Sequence, residues 1–242
     1  MSIGASVPRD RAKRLLLGRG NYVDDISLPR MLHLALVRSP YAHAHVGAIE
    51  TREALALPGV IAVFTAEDLE GAVSSWRAEH KLFPAMAAPE QFALARDVVR
   101  WQGEAVAAVL ANSRAEAEDG AERVSVDWDE LPAITDANQA LAPNAPVLHD
   151  DMSSNLAFET QVTAGDVNAA FADADHVVEE HFRFHRHSGI SLEPRGIIAA
   201  FEPSESRLTV HQSHQTPHQQ QDLYARLLGL PEHKVRVICP DV

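Results

Sequence analysis

Apolar positions along the chain fall into short runs separated by turn residues, and their period changes from run to run. Leu32 to Val37 and Val60 to Phe64 have strand character, and between them Thr51 to Leu57 reads as a short helix ended by Pro58 and Gly59. The pattern then repeats. Ala105 to Leu110 is a continuous apolar run, the Ala/Glu-rich segment Ser113 to Arg123 reads as a helix, and Val124 to Trp128 as a strand bounded by Leu131 and Pro132. Residues 18–135 are therefore expected to form an α/β or α+β domain behind an N-terminal arm at 1–17.

From Asp136 to Ser154 the sequence turns to Pro, Asn, Asp and Ser with little periodicity, which marks a connection between two domains with separate cores. Beyond it, Val177 to Phe184 alternates apolar and polar residues as a strand does. Ile197 to Phe201 and Leu208 to His211 flank a Pro/Ser turn and predict a hairpin. A helix is expected from about Pro217 to Leu228, with Pro in its first turn and Gly229 as its stop. Val235 to Ile238 reads as a further buried strand, four residues before Val242. A second domain at 155–242 is thus expected to be incomplete and marginal alone, since nothing follows that strand to pack on it.

Composition narrows the class. The chain has 242 residues, 46% of them hydrophobic, and 21 Lys plus Arg against 34 Asp plus Glu give a net charge of -13. Such a chain is repelled by phosphate backbones and anionic lipid, so neither nucleic acid nor a membrane is an expected partner. Cys239 is the only cysteine, which excludes an internal disulfide and a cysteine-bound zinc or iron-sulfur centre and suits a cytoplasmic protein. Arg9, Arg11, Lys13 and Arg14 precede an apolar run, Leu15 to Leu17, that is too short for a signal peptide core.

The 13 histidines invite a metal reading, since His181, His185 and His187 recur along one predicted strand and His214 and His218 are four apart. No Glu lies inside the second pair as a zincin motif needs, and Pro217 interrupts its spacing, so no protein-ligated metal is expected. There is no Gly-x-Ser-x-Gly elbow, and neither GRG at 18–20 nor Gly103-Glu104 makes a phosphate loop. One position remains. Gln215 lies where the strand ending near Gln212 turns into the helix starting near Pro217, beside free backbone N–H groups and the positive end of a helix dipole. Either its amide meets an anionic or oxo-bearing ligand, or Gln215 and Thr216 simply cap the helix.

Several long strings carry a family resemblance. They are GRGNYVDDISLPRMLHLALVRSPYAHAHV at 18–46, ALPGVIAVFTAEDL at 56–69, VRWQGEAVAAVLA at 99–111, GDVNAAFADADHVVEEHF at 165–182, LEPRGIIAAFE at 192–202 and SHQTPHQQQDLYARLLGLPEHKVRVICPDV at 213–242. In this order they resemble the large, molybdopterin-binding subunit of the xanthine dehydrogenase, aldehyde oxidase and aerobic carbon monoxide dehydrogenase family. The resemblance implies an α+β fold, with an a/b hammerhead domain at 18–135 and, after the linker at 136–154, the first part of the molybdopterin-binding domain.

It also implies a molybdenum-dependent oxidoreductase that hydroxylates an aldehyde, N-heterocycle or similar small substrate with oxygen from water. The metal would be held by the pterin dithiolene, and electrons would leave through two [2Fe-2S] clusters to FAD on separate small and medium partner subunits. Gln215 matches the family's glutamine that hydrogen-bonds the apical oxo group, with Thr216 beside it in the cofactor-binding turn. Glu193 matches a residue near the substrate channel, where it or Arg195 would orient substrate; the alternative for this pair is an ion pair fixing a bend before Ile197.

The family continues past the equivalent of Val242 into a Gly-rich loop beside the pterin and, much later, a glutamate general base. Neither string occurs here, so this chain alone is expected to be inactive. It is then a piece of the subunit, one half of a naturally split subunit, or a noncatalytic stand-alone interaction domain. Gln215 and the LEPRG string favour the first two.

Overall fold

The computed structural model of the protein describes residues 3–7, 9, 12–83, 85–185, 187, 189, 191 and 193–241. Arg11 of the basic N-terminal stretch, Leu192 of the LEPRG string and Val242 lie outside the described residues. Two antiparallel sheets carry the first half. One contains β1 (His33–Arg38), β3 (Val60–Thr65) and β5 (Ala105–Ala111) in the order β1-β5-β3; the other contains β2 (Ala44–Glu50), β4 (Val98–Val99) and β6 (Ser125–Glu130) in the order β4-β2-β6. Antiparallel pairing throughout makes this half α+β.

β5 is the middle strand, and its AVAAVLA sequence explains why: five of its seven residues are buried, so both faces must be apolar. One face meets α3 (Arg114–Glu122), where Gly120 lies against Val109 and Val60. Val106, on the other face, joins Ala44, Ala95 and Val99 in a buried cluster flanked by Val37, Val46, Ile49, Val126 and Trp128, which fills the space between the sheets. The Ser-x-x-Glu sequence starts α3: Ser113 Oγ accepts the Glu116 N–H at 3.3 Å and donates to Glu116 Oε2 at 2.8 Å. Two further short helices, α1 (Ala12–Leu16) and α2 (Arg52–Leu55), complete this half.

Between β4 and β5, Glu104 Oε2 accepts the Arg100 N–H at 2.6 Å and closes a turn. Burial pushes the Glu104 carboxyl above its ordinary value, against the opposing Arg100 and Trp101 N–H groups and the Arg100 charge. The folded state therefore holds this proton more tightly than the unfolded chain. The stability so gained is complete at low pH and declines as pH rises through the raised folded value. Thermal midpoints of the protein and of Glu104→Gln, compared across roughly pH 4 to 7, should show this decline only in the former. Parallel profiles would reject it.

A third sheet holds β7 (Ile197–Glu202), β8 (Arg207–Gln212) and β9 (Val235–Ile238), with β7 antiparallel and β9 parallel to the central β8. The parallel step requires a crossover, and α6 (Pro217–Leu228) supplies it. Leu208, Val210, Ala225 and Val235 are buried between helix and sheet. Gly229 ends the helix at φ 63°, the left-handed conformation that a side chain resists.

By proximity, residues 1–76, 91–133 and 191–242 form one compact unit, and 77–90 with 134–190 a second. The second contains α4 (Ala137–Ala140) and α5 (Val167–Ala172), capped by Asp136 and Asp166. Polar stitching holds the first of these. The Asn155 amide donates to Ala140 O at 3.0 Å and Pro146 O at 2.9 Å, while its oxygen accepts the Leu148 N–H at 3.0 Å. Phe83 stacks on Phe158 at 4.2 Å. Among the described residues, no hydrophobic side chain of this unit is fully buried. Val177 to Phe184, expected as a strand, is irregular chain without ladder bonds, and Phe184 is 90% exposed. Alternation supplies a face, but a strand also needs a neighbour to take its backbone bonds.

Candidate functional site

Register brings four segments to one end of the third sheet. Ile197 is opposite Gln212 and His211 is beside Ile238, so the residues before β7, after β8 and after β9 emerge together. They are 193–196, 213–216 and 239–241. The fourth segment, Asn21 to Asp25, docks on them from the N-terminal side.

Ser213 joins the LEPRG string to the strand-to-helix turn. Its Oγ accepts the Gly196 N–H at 2.8 Å, its hydroxyl is 3.2 Å from Pro194 O, and its own N–H donates to Gly196 O at 3.0 Å. One residue on, the His214 backbone lies next to the Cys239 thiol. Burial pushes that thiol above its ordinary value, which argues against a reactive thiolate. His214 Nδ1 in turn accepts the Thr216 N–H at 3.1 Å and faces Thr216 Oγ1 at 2.9 Å.

Thr216 occupies the N-cap position, yet neither its side chain nor that of Gln215 caps α6. The hydroxyl is turned back to His214 instead. Pro217 at the first position has no N–H to satisfy, so the helix starts without a side-chain cap. Gln215 is exposed, and among the described residues its amide has no partner. The turn is thus fixed on both sides of a residue whose own donor is free.

Glu193 and Arg195 are not paired with each other among the described residues, so the bend-fixing ion pair is not what holds this loop. Glu193 Oε1 accepts the Val23 N–H at 2.6 Å and lies 3.4 Å from the Asp24 nitrogen, serving as the acceptor for a 3-10 turn at Val23–Asp25. Oε2 is buried with no partner among the described residues. Arg195 is exposed. Val23 is 3% exposed, and a Cβ on Gly196 would lie 3.2 Å from its Cγ1, so the close approach depends on glycine. Truncating Glu193 to Ala should cost about 1–3 kcal/mol, the penalty for a buried donor left unmade, with a lower thermal midpoint and faster amide exchange at Val23. Unchanged exchange there would reject the contact.

The remaining tie is Asp241, which forms a bidentate pair with Arg14 and accepts the Asn21 N–H at 2.8 Å. His181, His185 and His187 lie in exposed irregular chain, and among the described residues no three metal-binding side chains converge. No helix among them is long and apolar enough to cross a membrane.

Residues 17–132 match the family model described as aldehyde oxidase and xanthine dehydrogenase, a/b hammerhead domain, and residues 148–242 match that of the molybdopterin cofactor-binding domain. The chain belongs to the xanthine dehydrogenase, aldehyde oxidase and carbon monoxide dehydrogenase large-subunit family. It is 37% identical to the carbon monoxide dehydrogenase large chain of Hydrogenophaga pseudoflava, covering 100% of this chain and 31% of that one. It is also 37% identical to the nicotine 6-hydroxylase large subunit of Paenarthrobacter nicotinovorans, over 99% of this chain and 29% of the relative. Quinoline 2-oxidoreductase from Pseudomonas putida 86 superposes with a TM-score of 0.91 at 36% identity, over 100% of this chain and 30% of that structure. The chain therefore spans about a third or less of the length of these family members.

Sequence reasoning singled out the turn at Gln215 as a candidate but not the contacts around it. His214-x-Thr216 has the acceptor-to-N–H spacing of an Asx turn, a local signal that was readable. The Glu193 contact to Val23 spans 170 residues and leaves no local trace.

Proposed function

We propose that this chain provides one wall of the cofactor site in a molybdenum hydroxylase. The enzyme oxidises an aldehyde, N-heterocycle or similar small substrate with water as the oxygen source, and passes electrons to [2Fe-2S] clusters and FAD on partner subunits. The observation that carries this reading is the unpartnered amide of Gln215, held at the N-terminal end of a 12-residue helix that has no side-chain cap. Free donors beside a positive helix end suit an anionic, oxo-bearing group.

The molybdenum cofactor, when bound, supplies the oxidation itself. Gln215 would donate to that group, and Thr216 would line the turn beside it. Of the LEPRG residues, Glu193 has one oxygen committed to the Val23 turn and the other buried, which leaves the exposed Arg195 guanidinium to orient substrate and Glu193 to hold the loop that carries it. The hammerhead domain at 18–135 and the linker at 136–154 carry and connect this wall.

Purified from its natural host, the protein should bring stoichiometric molybdenum and a pterin with it. Incubation with substrate in oxygen-18 water should label the product. A complex without molybdenum would overturn the reading.

A further inference from the structure

We infer that His214 is a positioning residue for Gln215, acting through a neutral imidazole with its hydrogen on Nε2. This inference rests on the proposed role of Gln215. A backbone N–H can only donate, so the Thr216 N–H, 3.1 Å from His214 Nδ1, requires a lone pair on that nitrogen. The Thr216 hydroxyl, 2.9 Å away, is then a second donor to it. These bonds bridge residues 214 and 216 and make Gln215 the middle of a closed turn.

The rest of the turn is anchored independently. Ser213 is bound to Gly196 and Pro194. Without the Nδ1 acceptor, the segment from His214 to Pro217 would lose its one internal tie among the described residues, and Gln215 would sample other directions. A donor preorganised toward a reacting group is worth more than one that must first be ordered. The imidazole thus sets the aim of the Gln215 amide without touching the cofactor.

Asn tests this directly, because its side-chain oxygen can take the Nδ1 acceptor position in an Asx turn, whereas Phe fills the space with no acceptor. In the full chain, nitrogen-15 correlation spectra should show His214 as the Nε2–H tautomer. The Thr216 amide should be protected from exchange in the wild type and in His214→Asn, and exposed in His214→Phe. A protonated Nδ1, or an equally protected Thr216 amide in His214→Phe, would overturn the inference.

In the assembled enzyme, His214→Phe should lower kcat by about threefold to tenfold, the worth of one hydrogen bond, with molybdenum content and KM unchanged. His214→Asn should restore most of the loss. In a Gln215→Ala background, His214→Phe should cost nothing further, since both changes remove one aimed donor. An equal loss in both backgrounds would overturn the inference while leaving the role of Gln215 intact. Native turnover in Gln215→Ala would sink the role of Gln215 and the positioning role with it, whatever the exchange data show.

Discussion

Gln215→Ala is expected to lower turnover of the assembled enzyme by about a hundredfold, while the protein unfolds at nearly its native midpoint. The two magnitudes have different origins. A preorganised donor at a reacting centre is worth about 3 kcal/mol in rate, whereas an exposed side chain with no partner contributes within about 0.5 kcal/mol to stability. Steady-state rates at full molybdenum loading, with thermal unfolding measured in parallel, separate them. A native rate would refute the assignment. Loss of molybdenum would make Gln215 a cofactor-holding residue, and its rate role would then need reconstitution to measure.

The largest stability effect is expected at Gly120, in the hammerhead region. A Cβ there would lie 2.8 Å from Val109 Cγ1 and 3.0 Å from Val60 Cγ2, both on the sheet beneath α3. Gly120→Ala gains about 1 kcal/mol in helix propensity and loses about 1–3 kcal/mol through overpacking. The net should be a modest loss. Gly120→Val adds two further methyl groups and forfeits much of the propensity gain, so about 3 kcal/mol should disappear from the urea unfolding free energy. Val109→Ala should recover part of that loss by opening the space. Full additivity of the two changes would show that α3 does not rest on Val109 through Gly120.

Legibility in the sequence followed the range of the interactions. α6 runs from Pro217 to Leu228 as its Pro and Gly punctuation predicted, and α3 lies within Ser113 to Arg123 because its Ala/Glu composition and its Ser113 N-cap are local. β2 was not foreseen. Its inward residues Ala44, Val46 and Ile49 do not alternate evenly, because a register shift falls between Val46 and Ile49. Val177 to Phe184 failed in the opposite way, with the right alternation but no partner strand among the described residues. The strand-to-helix turn that holds the candidate Gln215 was legible from the break between the two elements. The ties of Ser213 to Gly196 and of Glu193 to Val23 were not, because only the folded chain brings those partners near.

The long separations at this end of the sheet also set a timetable for biosynthesis. Val23 waits 170 residues for its acceptor Glu193, and Arg14 waits 227 for Asp241. At about 5–20 residues per second, those intervals last roughly 10–35 s and 10–45 s on the ribosome. Throughout, the Val23–Asp25 turn has its donors bare and a side chain that is finally buried lies open to water. Slow decoding between Val23 and Glu193 should therefore lower the yield of folded protein more than equally slow decoding before Arg14.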